Sequence, residues 1–401
     1  TDGLIEFVAD TAMGAVTASG LSVSVSEAGD LSLASLDAGS ADLTAAGSVS
    51  DRNGALVNVV GNLNLNAGTS INLGAGTANF GSVEVAKATN VNIEEDSATV
   101  LSDINVTGNF TLDSVGSVTQ SAGSSLFVGN TAAVDVAGIG SRIDLKGQFG
   151  SLDLNASDIV LALESDSVVL DLTADTLDVN ALGSQFSIDE LGGIQVRQQA
   201  DIIAEQVTFG QDAINVFGGL NVSTSETGSI NIFSDVKSLL QQGSPVNAEG
   251  NFIFSSNNIT AGVDGRNVTV ATSGSVAGGA IVFTGIDDAS TGVLSLAGTV
   301  TVDTTLNSLV GANINLVASE TGVGTIRSTG TGNTILTVSA GGGDIQVGNL
   351  SADNQINTFT VSTGNEISLN DLFVAGNTVD VKVTGNIDAN GVIQDSVGDV
   401  G

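Results

Sequence analysis

Val134-Asp135-Val136, Ile143-Asp144-Leu145, Leu152-Asp153-Leu154, Leu161-Ala162-Leu163 and Leu170-Asp171-Leu172 begin nine residues apart. Each triplet puts two apolar side chains on one face of an extended chain and its middle residue on the other. Three residues are too few for most sandwich strands, where about five or six is usual. The gaps between triplets lack the helical pattern that βαβ units would need. Triplets at this spacing fit successive sides of one coil, with the next coil stacking each side on itself. That is the signature of a β-solenoid.

The same pattern extends in both directions. Leu63-Asn64-Leu65, Ile71-Asn72-Leu73, Val83-Glu84-Val85 and Val91-Asn92-Ile93 precede the regular stretch. Ile214-Asn215-Val216, Ile230-Asn231-Ile232, Ile314-Asn315-Leu316 and Ile345-Gln346-Val347 follow it. Gly, Asn, Asp, Ser and Thr fill the intervals, as turns require. No shift in composition divides the chain, so residues 1–401 read as a single all-β domain, a parallel β-helix. The crossover rule for parallel strands makes it right-handed. At roughly 20 residues a coil, the chain would make about 20 coils, each adding about 4.8 Å. Ser234 to Pro245 breaks the rhythm with a helix-start residue, a Leu pair, a Gly stop and the only Pro. It reads as one short helical or loop insertion near 234–245. Asp189 to Gln206 is a second irregular stretch with weaker helical character.

Composition narrows the chemistry. The 401 residues carry 9 basic and 44 acidic side chains, a formal net charge of −35, with no His and no Cys. Without Cys there is no disulfide framework and no thiolate nucleophile. Without His the commonest general base and metal ligand is missing. Nine scattered cations make no nucleic-acid surface, so no nucleic-acid partner is expected. The charge-free stretches, such as Asn267 to Ile286, alternate and are cut by Gly, Ser and Thr. They do not run apolar for about 20 residues, so no membrane insertion is expected. A hydrophobic content of 41% nonetheless supplies a core. The negative charge reads as a solvated exterior that deters sideways sheet pairing. Association would then run through the solenoid ends. Neither Thr1–Val16 nor Gly385–Gly401 offers an amphipathic cap. The expectation is a segment of a longer solenoid or a subunit that self-associates end to end.

The phrases Gly47-Ser-Val-Ser-Asp51 with Asn53-Gly54-Ala55, and Gly61-Asn-Leu-Asn-Leu65 with Ala67-Gly68-Thr69-Ser70-Ile71, carry a family resemblance. So do Gly116-Ser-Val-Thr-Gln120 and Gly391-Val-Ile-Gln394. The chain resembles the filamentous-haemagglutinin class of large bacterial surface exoproteins. The resemblance implies a right-handed parallel β-helix on a secreted or surface-anchored protein. It also implies an adhesin shaft or extracellular fibre that meets cell-surface or matrix components. From these residues neither an N-terminal secretion module nor a separate binding domain is expected within residues 1–401.

Parallel β-helices include polysaccharide lyases and hydrolases, so a polysaccharide-active enzyme is the last alternative, but catalysis is not expected. Asp287-Asp288 is the only adjacent Asp pair, and no Lys or aromatic sugar platform surrounds it. No Gly-Lys-Ser/Thr phosphate loop occurs. A hard cation is the more serious prospect, because Asp, Asn and backbone oxygens are what calcium uses. In an 18-residue coil, Asp135, Asp153 and Asp171 would stack on one outer face about 4.8 Å apart, a candidate calcium site. No other cofactor is expected. Glu94-Glu95-Asp96 and the Glu164/Asp166 pair are lesser acidic candidates. Gly341-Gly342-Gly343-Asp344-Ile345 is a lone echo of calcium-binding nonapeptide repeats. Phe252-Ile253-Phe254 reads as stacked core.

Overall fold

The computed structural model describes residues 3–9, 14–238, 250–272, 279–286, 292–305, 311–317, 324–329, 333–351, 355–370, 372–389 and 393–395. The fold is all-β, a parallel β-solenoid of about 16 turns, with no helix among the described residues. Two compact units divide the chain, Thr1–Ala174 and Asp175–Gly401.

In the first unit one inner column shows how the coils are built. Leu31 lies on Val49, Val49 on Ile71, Ile71 on Val91 and Val91 on Phe110. Phe110 then lies on Ala132, Ala132 on Leu152 and Leu152 on Val169. All eight side chains are buried. Stacked outer side chains give the coil length: Ser22 and Ser40 are 18 residues apart, Asn72 and Asn92 are 20, and Asp42 and Asn64 are 22. A parallel strand has no hairpin partner, so each coil hides its apolar face against the coils before and after it. The triplets behave accordingly: Leu63, Leu65, Ile71, Leu73, Val83, Val85, Val91 and Ile93 all point inward.

The second unit has three sides per coil, seen in the pairings Phe252–Ile281, Ile259–Leu294 and Val268–Val300. Its matching column runs Ala200, Leu220, Phe252, Ile281, Ile314, Ile345 and Ile367, all buried, and ends on Ile387, which is exposed. Coil length changes along it. Thr208 and Asn231 stack 23 residues apart, Ser295 and Arg327 are 32 apart, Asn315 and Gln346 are 31, and Asp344 and Asn365 are 21. The middle coils are thus about half as long again as the outer ones, which brings the number of turns below the sequence expectation. The strands do not lengthen; Phe252–Ser255, Ile281–Thr284 and Ile314–Leu316 have four, four and three residues. The surplus lies between the strands, and the described residues on either side of it meet. The Thr272 hydroxyl donates to the Gly279 carbonyl. The Thr304 hydroxyl bonds both the carbonyl and the N–H of Ala312, at 2.9 and 3.0 Å. The Gly324 N–H donates to the Val317 carbonyl at 2.7 Å. Thr272 and Thr304 are themselves fully buried.

The interior of the second unit is richer in Phe. Phe209, Phe217 and Phe252 meet edge to face at 6.3 and 6.4 Å, and Phe254 stacks on Phe283 at 5.0 Å. Both Phe252 and Phe254 are core, as their alternation implies. Where corners turn tightly, glycine is required by space. A Cβ on Gly250 would strike the Gly218 carbonyl oxygen, and one on Gly279 would strike that of Gly250.

Three sequence expectations are corrected. Ser234-Asp235 does not start a helix: Val236–Ser238 is a strand paired with Asn215–Phe217 and with Val270–Ala271. Residues 239–249, the rest of that expected insertion, lie outside the described residues. Asp189 to Gln206 belongs wholly to the extended stretch Thr176–Phe209. Its buried Ile194, Val196, Ala200, Ile202 and Ala204 alternate except at one register shift after Val196. That shift makes the Val196-to-Ala200 spacing look helical. Finally, Asn215 points inward, with 2% exposure, while Val216 lies on the other face. Its Nδ2 donates to the Ser234 hydroxyl at 2.7 Å and to the Asp235 carbonyl at 3.1 Å, holding the turn before Val236.

Candidate functional site

The three carboxylates proposed for calcium are not stacked as an 18-residue coil would stack them. Asp153 does lie on Asp171. Asp135, however, lies on Asn155, while Asp153 has Ala133 as its partner. The coil from Asp135 to Asn155 takes 20 residues, two more than the apolar triplets imply. A shift of two leaves every side chain on its own face, so the hydrophobic pattern is blind to it. On the other side Leu152 pairs with Val169 and Asp153 with Asp171, so Leu170 bulges out of the ladder and is exposed.

The register builds a different acidic row. Glu94 lies on Asp113, Asp113 on Asp135 and Asp135 on Asn155. The Asn155 amide donates to Asp135 Oδ1 at 3.0 Å. Glu94, Asp113 and Asp135 line a shallow groove of about 360 Å³ together with Glu95, Asp96, Ser114, Val115 and Ala137. Sequence reading places Glu94-Glu95-Asp96 and Asp135 among the candidates but misses Asp113. Its only signal is its distance of one coil from both neighbours, which needs the register to be seen.

Glu95 differs from its neighbours because it points inward, with 2% exposure. It accepts the Phe80 N–H at 3.0 Å, the Ser97 hydroxyl at 2.9 Å and the Thr99 hydroxyl at 2.7 Å. Burial pushes its carboxyl above the ordinary range against the pull of those donors, and the Asp96 charge adds to the rise. Burial also raises Asp153, with Asp171 and Asp135 contributing as like charges. Asp51 is the other instructive inward carboxylate: its two oxygens accept the N–H groups of Ala75 and Gly76 at 3.1 and 2.8 Å. Buried carboxylates satisfied in this way hold corners together.

The remaining candidates fall apart in space. Glu164 pairs with Lys146 at 3.1 Å. Asp344 accepts the Asn365 amide at 2.9 Å, and its own N–H donates to Asn313 Oδ1 at 2.9 Å. Asp287-Asp288 lies outside the described residues. Among the described residues no group of three or more acidic side chains is placed to hold a metal ion. A second hollow, of about 370 Å³, is lined by residues including Asp212, Ser234, Asp235 and Arg266, with an Arg266–Asp212 ion pair of 2.7 Å across it.

With this geometry in view, one comparison bears on the chain. A family described as repeats of unknown function (DUF5649) matches residues 20–86 and 88–162. Both stretches fall in the first unit, where the coils are short. No curated protein and no solved structure matches.

Proposed function

We propose that this β-solenoid repeat protein has a structural task, as the shaft of a large bacterial surface exoprotein of the adhesin kind, with no chemistry of its own. The observation that carries the reading is the pair of inner columns, in which every coil is completed only by its neighbours. Such a design converts sequence length into reach and tolerates variation at most single positions. A dense row of exposed carboxylates keeps such a surface soluble and discourages lateral sheet pairing. The resemblance to filamentous-haemagglutinin exoproteins supplies the extracellular setting.

The test is protease shaving of intact cells that express the full-length native protein. Peptides from this chain should be released while a cytoplasmic control stays protected. Retention of all its peptides inside the cell would end the surface reading. Sedimentation of the purified chain across concentrations separates a second role: particles that lengthen with concentration would favour end-to-end stacking between copies.

A further inference from the structure

At five places among the described residues a carboxylate is met by an asparagine amide on the following coil. Asn58 Nδ2 donates to Asp37 at 2.8 Å, Asn64 to Asp42 at 3.2 Å and Asn155 to Asp135 at 3.0 Å. In the second unit Asn365 donates to Asp344 at 2.9 Å and Asn386 to Glu366 at 3.3 Å. The asparagine follows its carboxylate by 20 to 22 residues each time, so the amide always reaches back toward the preceding coil. The cations divide. Arg142–Asp144, Lys237–Asp235 and Lys382–Asp380 join residues two apart on one coil, while Lys146–Glu164, Arg197–Asp175 and Arg266–Asp212 reach between coils.

We propose that these asparagines are the built-in counter-groups of the acidic faces, taking the place that lysine or a bound cation would hold. The physical need is plain. Outer positions of successive coils lie about 4.8 Å apart, so an unrelieved acidic row sets like charges side by side. An amide gives one N–H to the carboxylate behind it and brings no charge of its own. The row Glu94–Asp113–Asp135 ends on such an amide. Asp135 adds an independent point: the 18-residue register would have set it on Asp153, and the register found sets it on Asn155.

The experiment is a swap at one rung. Asn155→Asp is isosteric and puts carboxylate on carboxylate. At pH 7 and low salt it should lower the unfolding midpoint by about 2–4 °C, the size of shift a lost rung of this kind gives in a large domain. The deficit should shrink in 1 M salt, which screens exposed charges. It should vanish below about pH 4, where the new carboxyl is protonated and can donate in place of the amide. The double variant Asp135→Asn/Asn155→Asp should restore the midpoint, since the pair is re-formed in reverse. Asn53→Asp, at an exposed strand position beside the positive-φ Gly54, serves as the charge control and should move the midpoint less. An Asn155→Asp effect no larger than that of Asn53→Asp, or no recovery in the swap, would overturn the proposal. Asn365→Asp with Asp344→Asn repeats the test in the second unit, so if one rung fails to fold the other decides.

Discussion

The first unit and the middle of the second solve one problem with different coils. In the first, rungs between stacked outer side chains span 18 to 22 residues, and the inner column is mostly Val, Leu and Ile. In the middle of the second, such rungs span 31 or 32 residues, yet the strands stay at three or four. The solenoid core is therefore fixed by its strands, while its corners accept extra chain. Loop closure asks little for this, since doubling a loop costs only about 0.6 kcal/mol. What the longer coils require is a clean return, which Thr272 and Thr304 secure by bonding across the base of their connections.

Inserting four Gly/Ser residues at equivalent corners should separate the two coil types most widely. Between Thr272 and Gly279 the insertion should cost about 0.6 kcal/mol or less. Between Asn155 and Asp158, where two residues turn the corner, it should unravel the adjoining strands. Hydrogen exchange of the strands on either side reads both results. Equal tolerance at the two sites would deny that the units differ in kind.

Next in size is Phe252→Ala. Deleting a buried ring costs about 3–5 kcal/mol, and here it also removes the edge contact with Phe217. Loss of protection should spread to Leu220 and Ile281, its column neighbours, and stop within a few coils, as expected of a one-dimensional stack. Cooperative loss through the whole chain would argue for a globular core instead.

The units should also respond to pH with opposite sign at their perturbed carboxyls. Glu95 and Asp153, in the first unit, have folded values above the ordinary ones. The folded state therefore binds those protons more tightly than the unfolded chain. Their stabilising effect is complete below the unfolded values, and it is lost as pH rises through the folded ones. Glu205, in the second unit, is held low by the hydroxyls of Ser225 and Thr227. Its contribution is present at neutral pH and lost as pH falls through its folded value. Hydrogen exchange, corrected for intrinsic rates, should show opening near Ile93 and Leu152 that slows as pH falls from neutral toward the ordinary carboxyl range. Glu95→Gln should flatten that trend near Ile93; an unchanged trend would remove Glu95 as its source.

The smallest effect expected is that of Lys146→Ala. Its pair with Glu164 is exposed on both sides, so its loss should cost well under about 1 kcal/mol by thermal unfolding.

Much of this architecture is legible in the sequence, and the reason is periodicity. Alternation marks which residues point inward, and triplets without helices mark coils. What alternation cannot carry is register. A two-residue slip preserves every face, which is why Asp135 is expected on Asp153 and is found on Asn155. For the same reason Asp113 escapes notice, although it lies between Glu94 and Asp135. Inward polar residues are also hidden: turn oxygens accept from the Asn215 amide nitrogen, and strand N–H and hydroxyl donors hold the Glu95 carboxylate. The helical reading of Asp189 to Gln206 fails at two register shifts, and the one after Val196 imitates a spacing of four.

Disulfide trapping puts the parallel stack and its two coil lengths on trial, and a chain with no Cys permits it without background. Thr131→Cys with Ser151→Cys joins stacked partners of a short coil, and Thr269→Cys with Thr301→Cys joins those of a long one. Both pairs should close in the native protein, while Ala133→Cys with Ser151→Cys, the pair an 18-residue coil would align, should stay reduced. Closure of that third pair in place of the first two would refute the register found between these coils.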